Sequence, residues 1–262
     1  MGLVIEDVTS EAGAFTFHKL ENGFASLQSQ QNKDLLRKWN LEPYMQSGIF
    51  RFDQPFKPEQ IGTFLSDFFG DPSVQQAVPV SAGPGSWGSL GPVAQNGVSF
   101  KRLRSTVLRL DFFDRLNERG LVRAGHIGGC LDQQVGDILV SDRLRLMLLD
   151  ESAEEWDVFT PGEREELIFH VLRRLAVGGG MNQHEHEMGP YLDLTKVLYK
   201  DLVTVQKSAA GQLQIASLPV EVTAVAGCQL FPRDGPHNFC YLSVDPVARQ
   251  VKYWYAAWFP MM

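Results

Sequence analysis

Residues 190 to 218 read PYLDLTKVLYKDLVTVQKSAAGQLQIASL, and a change of period inside this stretch decides the fold. Tyr191, Leu194, Leu198 and Leu202 recur at helical spacing, behind Pro190, whose missing N–H costs nothing in a first helical turn. Leu202, Val203 and Val205 then read as strand, Ser208 to Gly211 as a turn, and Gln212 to Leu218 as an alternating return strand. A helix running into a hairpin needs a sheet to cover, so the stretch ties the middle of the chain to its C-terminal third.

Toward the C-terminus the strand pattern strengthens. Phe239 to Val244 and Gln250 to Phe259 flank Asp245-Pro246 as a hairpin, with a further strand expected at Pro219 to Val225. Alternation on the second hairpin strand puts Trp254 and Trp258 on one face and Tyr253, Tyr255 and Phe259 on the other. A strand apolar on both faces is central in its sheet or is covered by a partner.

Toward the N-terminus helices dominate. Thr160-Pro161-Gly162-Glu163 is a capping box, and the spacing of Leu167, Ile168, Val171, Leu172 and Leu175 continues its helix to the glycine triplet at 178 to 180. Ser141 is the expected N-cap of a helix burying Leu144, Met147 and Leu148, and Gly125 to Asp132 reads as a tight loop. Pro58 opens a helix whose stripe is Ile61, Phe64, Leu65, Phe68 and Phe69, ended by Gly70 and Pro72. Ala14 to His18 and Ile49 to Phe52 read as strands, and Leu27 to Trp39 as a helix. Residues 79 to 97, rich in glycine and proline, read as a loop and as the best place for an internal seam. The expected fold is α+β: one globular domain over residues 1 to 262, its helices packed on a mainly antiparallel sheet weighted to the C-terminal half. Residues 1 to 12 are expected to be mobile.

Composition narrows the function classes. The chain has 262 residues, 44% hydrophobic, with 24 basic and 31 acidic side chains and a net charge of −7. Such a balance argues against general binding of nucleic acid or anionic membranes, which calls for basic surfaces. No apolar run approaches a membrane span. The opening MGLVIEDVTSE lacks the basic region of a signal peptide, and Glu6 stands where myristoylation requires Ser or Thr. Cys130, Cys228 and Cys240 are widely spaced without a CxxC, so buried, reduced thiols in a reducing compartment are expected.

Charge is segregated locally. Residues 101 to 123 carry Lys101, Arg102, Arg104, Arg109, Arg115, Arg119 and Arg123 against three acids, whereas residues 150 to 166 carry eight acids and one base. The basic segment reads as a solvated face or as a docking patch for an acidic partner, which the acidic segment would neutralise if the two meet. Arg102 and Arg104, together with Trp254 and Trp258 on the aromatic strand, are the candidate partner-binding residues.

Signals for catalysis are weak. Gly83, Gly85 and Gly88 match GxGxxG, but Gly91-Pro92 falls where the phosphate-facing helix should run, and no GK[ST] or GxSxG occurs. His184 and His186, in the run His184-Glu185-His186-Glu187, would share a strand face and with His126 or His237 could chelate a metal. Their spacing fits neither HExxH nor HxD, and a solvated polar loop is the simpler reading. No catalytic or cofactor-binding residue and no metal ligand is assigned.

Several stretches together carry a resemblance. Phe52-Asp53-Gln54-Pro55-Phe56 precedes Asp67-Phe68-Phe69-Gly70-Asp71-Pro72; Gly125-His126-Ile127, Cys130-Leu131-Asp132 and Ser141-Asp142-Arg143-Leu144-Arg145 follow. Pro190-Tyr191-Leu192, Thr195-Lys196, Tyr199-Lys200-Asp201-Leu202-Val203 and Val244-Asp245-Pro246 complete the set. In order and spacing, over residues 40 to 250, these resemble the cilia- and flagella-associated protein 300 family. The resemblance implies a non-enzymatic factor or adaptor that assembles the outer and inner dynein arms of motile cilia. It would act in the cytoplasm with preassembly factors and reach the axoneme by intraflagellar transport. The rival readings are a metal-dependent enzyme using His184 and His186, and a fixed structural component of the axoneme. The sequence does not specify the oligomeric state.

Overall fold

The computed structural model describes residues 13 to 83, 86 to 93 and 97 to 259. At its centre the strands Phe239–Asp245 and Gln250–Ala256 pair antiparallel, Tyr241 opposite Trp254 and Leu242 opposite Tyr253. Every residue of Phe239–Asp245 is buried, as continuous apolar character on two faces requires of a central strand. Met45–Phe52 and then Phe17–Lys19 extend the sheet on one side, Leu218–Val225 and then Val98–Arg102 on the other. All neighbouring pairs among the six strands are antiparallel.

Alternation on these strands supplies two cores. Phe239, Tyr241, Trp254 and Ala256 face the helices Arg143–Leu149, Leu167–Val177 and Met188–Leu202. Phe50, Phe52, Leu242, Val251, Tyr253 and Tyr255 face the other way, onto the helices Ile61–Gly70 and Pro72–Ala77. The phenylalanine stripe is the heart of this second core: Phe64 lies 4.9–5.2 Å, centroid to centroid, from Phe15, Phe17, Phe52 and Phe56 in edge-on contacts, the geometry that ring quadrupoles favour. The result is one α+β domain with helices on both faces of an antiparallel sheet.

The deciding stretch folds largely as its period predicts. Tyr191, Leu194, Leu198 and Leu202 are each no more than 1% exposed. The helix begins at Met188, and Leu202 and Val203 close it rather than opening the strand. The hairpin is shorter than expected, Val205–Lys207 with Leu213–Ile215, and forms its own two-stranded sheet. Beyond the hairpin the chain re-enters the main sheet at Leu218.

Other expectations are corrected. The Gly/Pro-rich stretch contains a hairpin, Pro79–Gly83 with Ser86–Ser89, and Val80 and Leu90 seal it onto the phenylalanine core. Its residues 86 to 89 are strand, so no phosphate-facing helix follows Gly83; residues 84, 85 and 94 to 96 lie outside the described part, as do the expected mobile residues 1 to 12. Residues 125 to 132 are not a tight loop, because His126–Ile127 and Gly129–Val135 are strands of two small hairpins. The N-cap is Asp142, whose carboxylate accepts from Arg145 N at 2.8 Å, one residue beyond Ser141. The capping box at Thr160 is present, but the helix it starts ends at Arg164, and Leu167–Val177 is a separate helix. Of the three free thiols only that of Cys240 is buried; Cys130 and Cys228 are half-buried. Among the described residues no helix is long and apolar enough to cross a membrane.

Candidate partner-binding surface

The basic and acidic segments meet. Backbone bonds fasten them first, Arg104 N to Glu165 O at 3.0 Å and Leu167 N to Arg104 O at 2.8 Å. Side chains then pair along the seam: Lys101 with Glu165 at 2.9 Å, Arg104 with Glu166 at 3.3 Å and Arg115 with Glu163 at 2.7 Å. Glu166 explains why the helix breaks there. Its carboxylate is buried and also accepts from Thr106 N at 2.8 Å and Thr106 Oγ1 at 2.6 Å, so the chain kinks to place it. Burial works to raise the Glu163 carboxyl, but hydrogen bonds from the Thr160 backbone and Arg115 outweigh it and hold the group below its usual range.

The four candidate residues part company. Arg104 is exposed but engaged with Glu166, while Arg102 is exposed and donates to Pro58 O at 2.7 Å. Trp254 is fully buried, its ring 4.5 Å from Phe239, and is thus interior to the fold rather than available to a partner. Trp258 does not share its face, because the strand ends at Ala256. It lies half-buried beyond the strand, 4.9 Å from the His237 ring, with the Arg233 guanidinium 5.0 Å above it. The glycine triplet makes this possible: a Cβ on Gly180 would stand 2.1 Å from the Trp258 ring, and one on Gly179 would stand 2.2 Å from Asn40 O.

The histidine run is used structurally. Glu185, between the histidines, accepts from Lys38 Nζ at 2.8 Å and Trp39 Nε1 at 2.9 Å, and its N–H donates to Tyr191 Oη at 3.1 Å. His184 is half-buried, and that burial lowers its pKa, while His186 is exposed. Among the described residues no three His, Cys, Asp or Glu side chains converge to hold a metal ion.

Sequence reasoning missed a buried polar network. Arg174 donates to Tyr241 Oη at 2.7 Å, to Pro236 O at 2.8 Å and to Glu221 at 2.8 Å, and His170 Nδ1 lies 3.0 Å from the same Tyr241 oxygen. Burial foremost, then the Arg174 charge, pushes the His170 pKa well below its ordinary value. The helical period of Leu167–Val177 marks the face, but nothing local marks the partners. The network bolts that helix to the sheet, with each guanidinium nitrogen donating one hydrogen bond.

It also missed a groove of about 380 Å³ between residues 108 to 110 and the two long helices. Leu108, Leu110, Ile168 and Tyr199 form its apolar walls, and Arg109, Lys196 and Lys200 stand at its rim. Tyr199 Oη donates to Val107 O at 2.9 Å, which pins the 107 to 110 segment across the helix. Lys196, Tyr199 and Lys200 share a helix face by their i, i+3, i+4 spacing.

Comparison with known proteins agrees with the motif set. The family model described as cilia- and flagella-associated protein 300 matches residues 14–256. A cilia- and flagella-associated protein 300 of Chlamydomonas reinhardtii is 35% identical over 245 residues, covering 90% of this chain and 95% of that protein. The protein of the same name from Paramecium tetraurelia is 30% identical over 239 residues, covering 91% of each. No solved structure matches. The chain therefore belongs to the cilia- and flagella-associated protein 300 family.

Proposed function

We propose that this protein is a non-enzymatic assembly factor for the outer and inner dynein arms of motile cilia and flagella. In this reading it works in the cytoplasm with arm preassembly factors and travels into the cilium by intraflagellar transport. The observation that carries the reading is family membership across nearly the whole chain, in a family associated with cilia and flagella. The shape is consistent with it: the histidine run is tied into the fold through Glu185, and the groove between residues 108 to 110 and the two long helices has apolar walls and a cationic rim, which suits a protein segment. Cells lacking the chain should build cilia of near-normal length that beat poorly, with both rows of arms reduced in electron micrographs. Normal arms in immotile cilia overturn the reading. Resistance of the protein to salt extraction from isolated cilia would replace the transient factor with a fixed axonemal component.

A further inference from the structure

We propose that the groove between residues 108 to 110 and the two long helices is a docking site for an acidic protein segment bearing a large apolar anchor. The inference deepens the assembly-factor reading by naming the chemistry of the partner, and it stands on three observations. The first is the unsatisfied apolar surface: Leu108 is 43% exposed beside the buried Ile168 and Tyr199. At about 380 Å³ the concavity lies at the small end of pockets that enclose a ligand, enough for one or two side chains.

The second is charge. Among the described residues neither Lys196 nor Lys200 is ion-paired, and Arg109 meets only the exposed Asp111, at 3.2 Å with 80% and 52% of the two side chains accessible. The nearby Asp201 is already committed, accepting from Ala25 N and Ser26 N at 3.2 and 2.8 Å. Three cations around an apolar pit, on a chain of net charge −7, form a local inversion of the protein's field that complements an acidic partner.

The third is shape. Nucleic acid follows extended basic stripes and anionic bilayers follow broad basic faces. Here the cations ring a short groove, and the helix sets Lys196 and Lys200 beside the apolar wall of Tyr199, so that charge and an apolar pit lie together as in the recognition of amphipathic helices.

The test uses purified full-length protein and a fluorescent synthetic peptide of about 14 residues, roughly four helical turns, built from Asp and Glu with a central Phe-Leu pair. Fluorescence anisotropy should show saturable binding that weakens as salt rises. Lys196→Glu with Lys200→Glu should weaken it about tenfold or more, and Leu108→Ser should do so by a similar factor. All three side chains are exposed, so melting midpoints should hold; Lys196→Ser with Lys200→Ser provides a gentler second variant. No binding, binding indifferent to these variants, or equal binding of the peptide with Ser in place of Phe-Leu overturns the proposal. Competition by phosphatidylserine vesicles or single-stranded RNA at lower concentration than the peptide overturns it in favour of those ligands. If the peptide fails while cells lacking the protein still lose dynein arms, the groove proposal falls and the assembly reading stands. Peptide binding with normal arms gives the reverse.

Discussion

Leu198→Ala tests the helix on which the fold turns. Leu198 is 0% exposed, in the core between the Met188–Leu202 helix, the Leu167–Val177 helix and the aromatic face of the sheet. The change removes the leucine's branched end and leaves a void among well-ordered elements, so the lost transfer energy and the cavity add to about 2–5 kcal/mol. A chain slightly longer than 250 residues loses about 2 °C in melting midpoint per kcal/mol, which gives a drop of about 4–10 °C. Calorimetry or thermal circular dichroism reads it, with Lys196→Ala on the exposed face of the same helix as a control expected within about 0.5 kcal/mol of the parent. An unchanged midpoint for Leu198→Ala, or equal losses in the two variants, would refute the facing of the helix.

Two further outcomes are expected. Trp254→Ala should cost about 3–5 kcal/mol in urea unfolding, and Trp258→Ala, half-buried beyond the strand end, should cost less; the opposite order would contradict their placement. Burial lowers the His170, His184 and His237 pKa values below 6.5, so below that pH the unfolded chain binds more protons than the folded one, and stability falls with pH by at most about 1.4 kcal/mol per unit for each histidine. His170→Gln should make that slope shallower between about pH 6.5 and 5, and an unchanged slope would mean that His170 is not held neutral by the fold.

Legibility in the sequence followed how local the determining physics is. The Ile61–Gly70 stripe and the Met188–Leu202 stripe are written in one period each, and all nine of their predicted apolar positions are buried. The central hairpin was legible for a similar reason, since two-sided apolar character has few other uses. Hidden elements were those whose stability comes from elsewhere. The Gly129–Val135 and Ile138–Asp142 hairpin exposes Leu131 and Leu139, so its alternation does not track burial. The break at Glu165-Glu166 depends on Thr106 and Arg104, some sixty residues away, and no window over the capping box contains them. The groove is assembled from three separated segments, and its lysines read locally as an ordinary solvated face.

The ion-paired seam explains why the basic segment as a whole is a poorer docking patch than its composition suggests. An exposed pair is worth about 0–1 kcal/mol, so Lys101 could be surrendered to a partner at little cost, whereas Arg115 is half-buried and also donates to Val158 O at 3.3 Å. Arg104 differs, because its partner Glu166 is a buried carboxylate whose hydrogen bonds fix the chain at the helix break. A competing acid that drew Arg104 away would leave that buried charge with fewer compensating partners, and the loss would be charged against binding. At the groove rim the balance reverses: among the described residues Lys196 and Lys200 have no ion pair to break, and the apolar walls beside them gain by being covered. Clustered like charge therefore marks where this protein clasps itself, and Lys196 and Lys200 beside exposed Leu108 mark where it can hold something else.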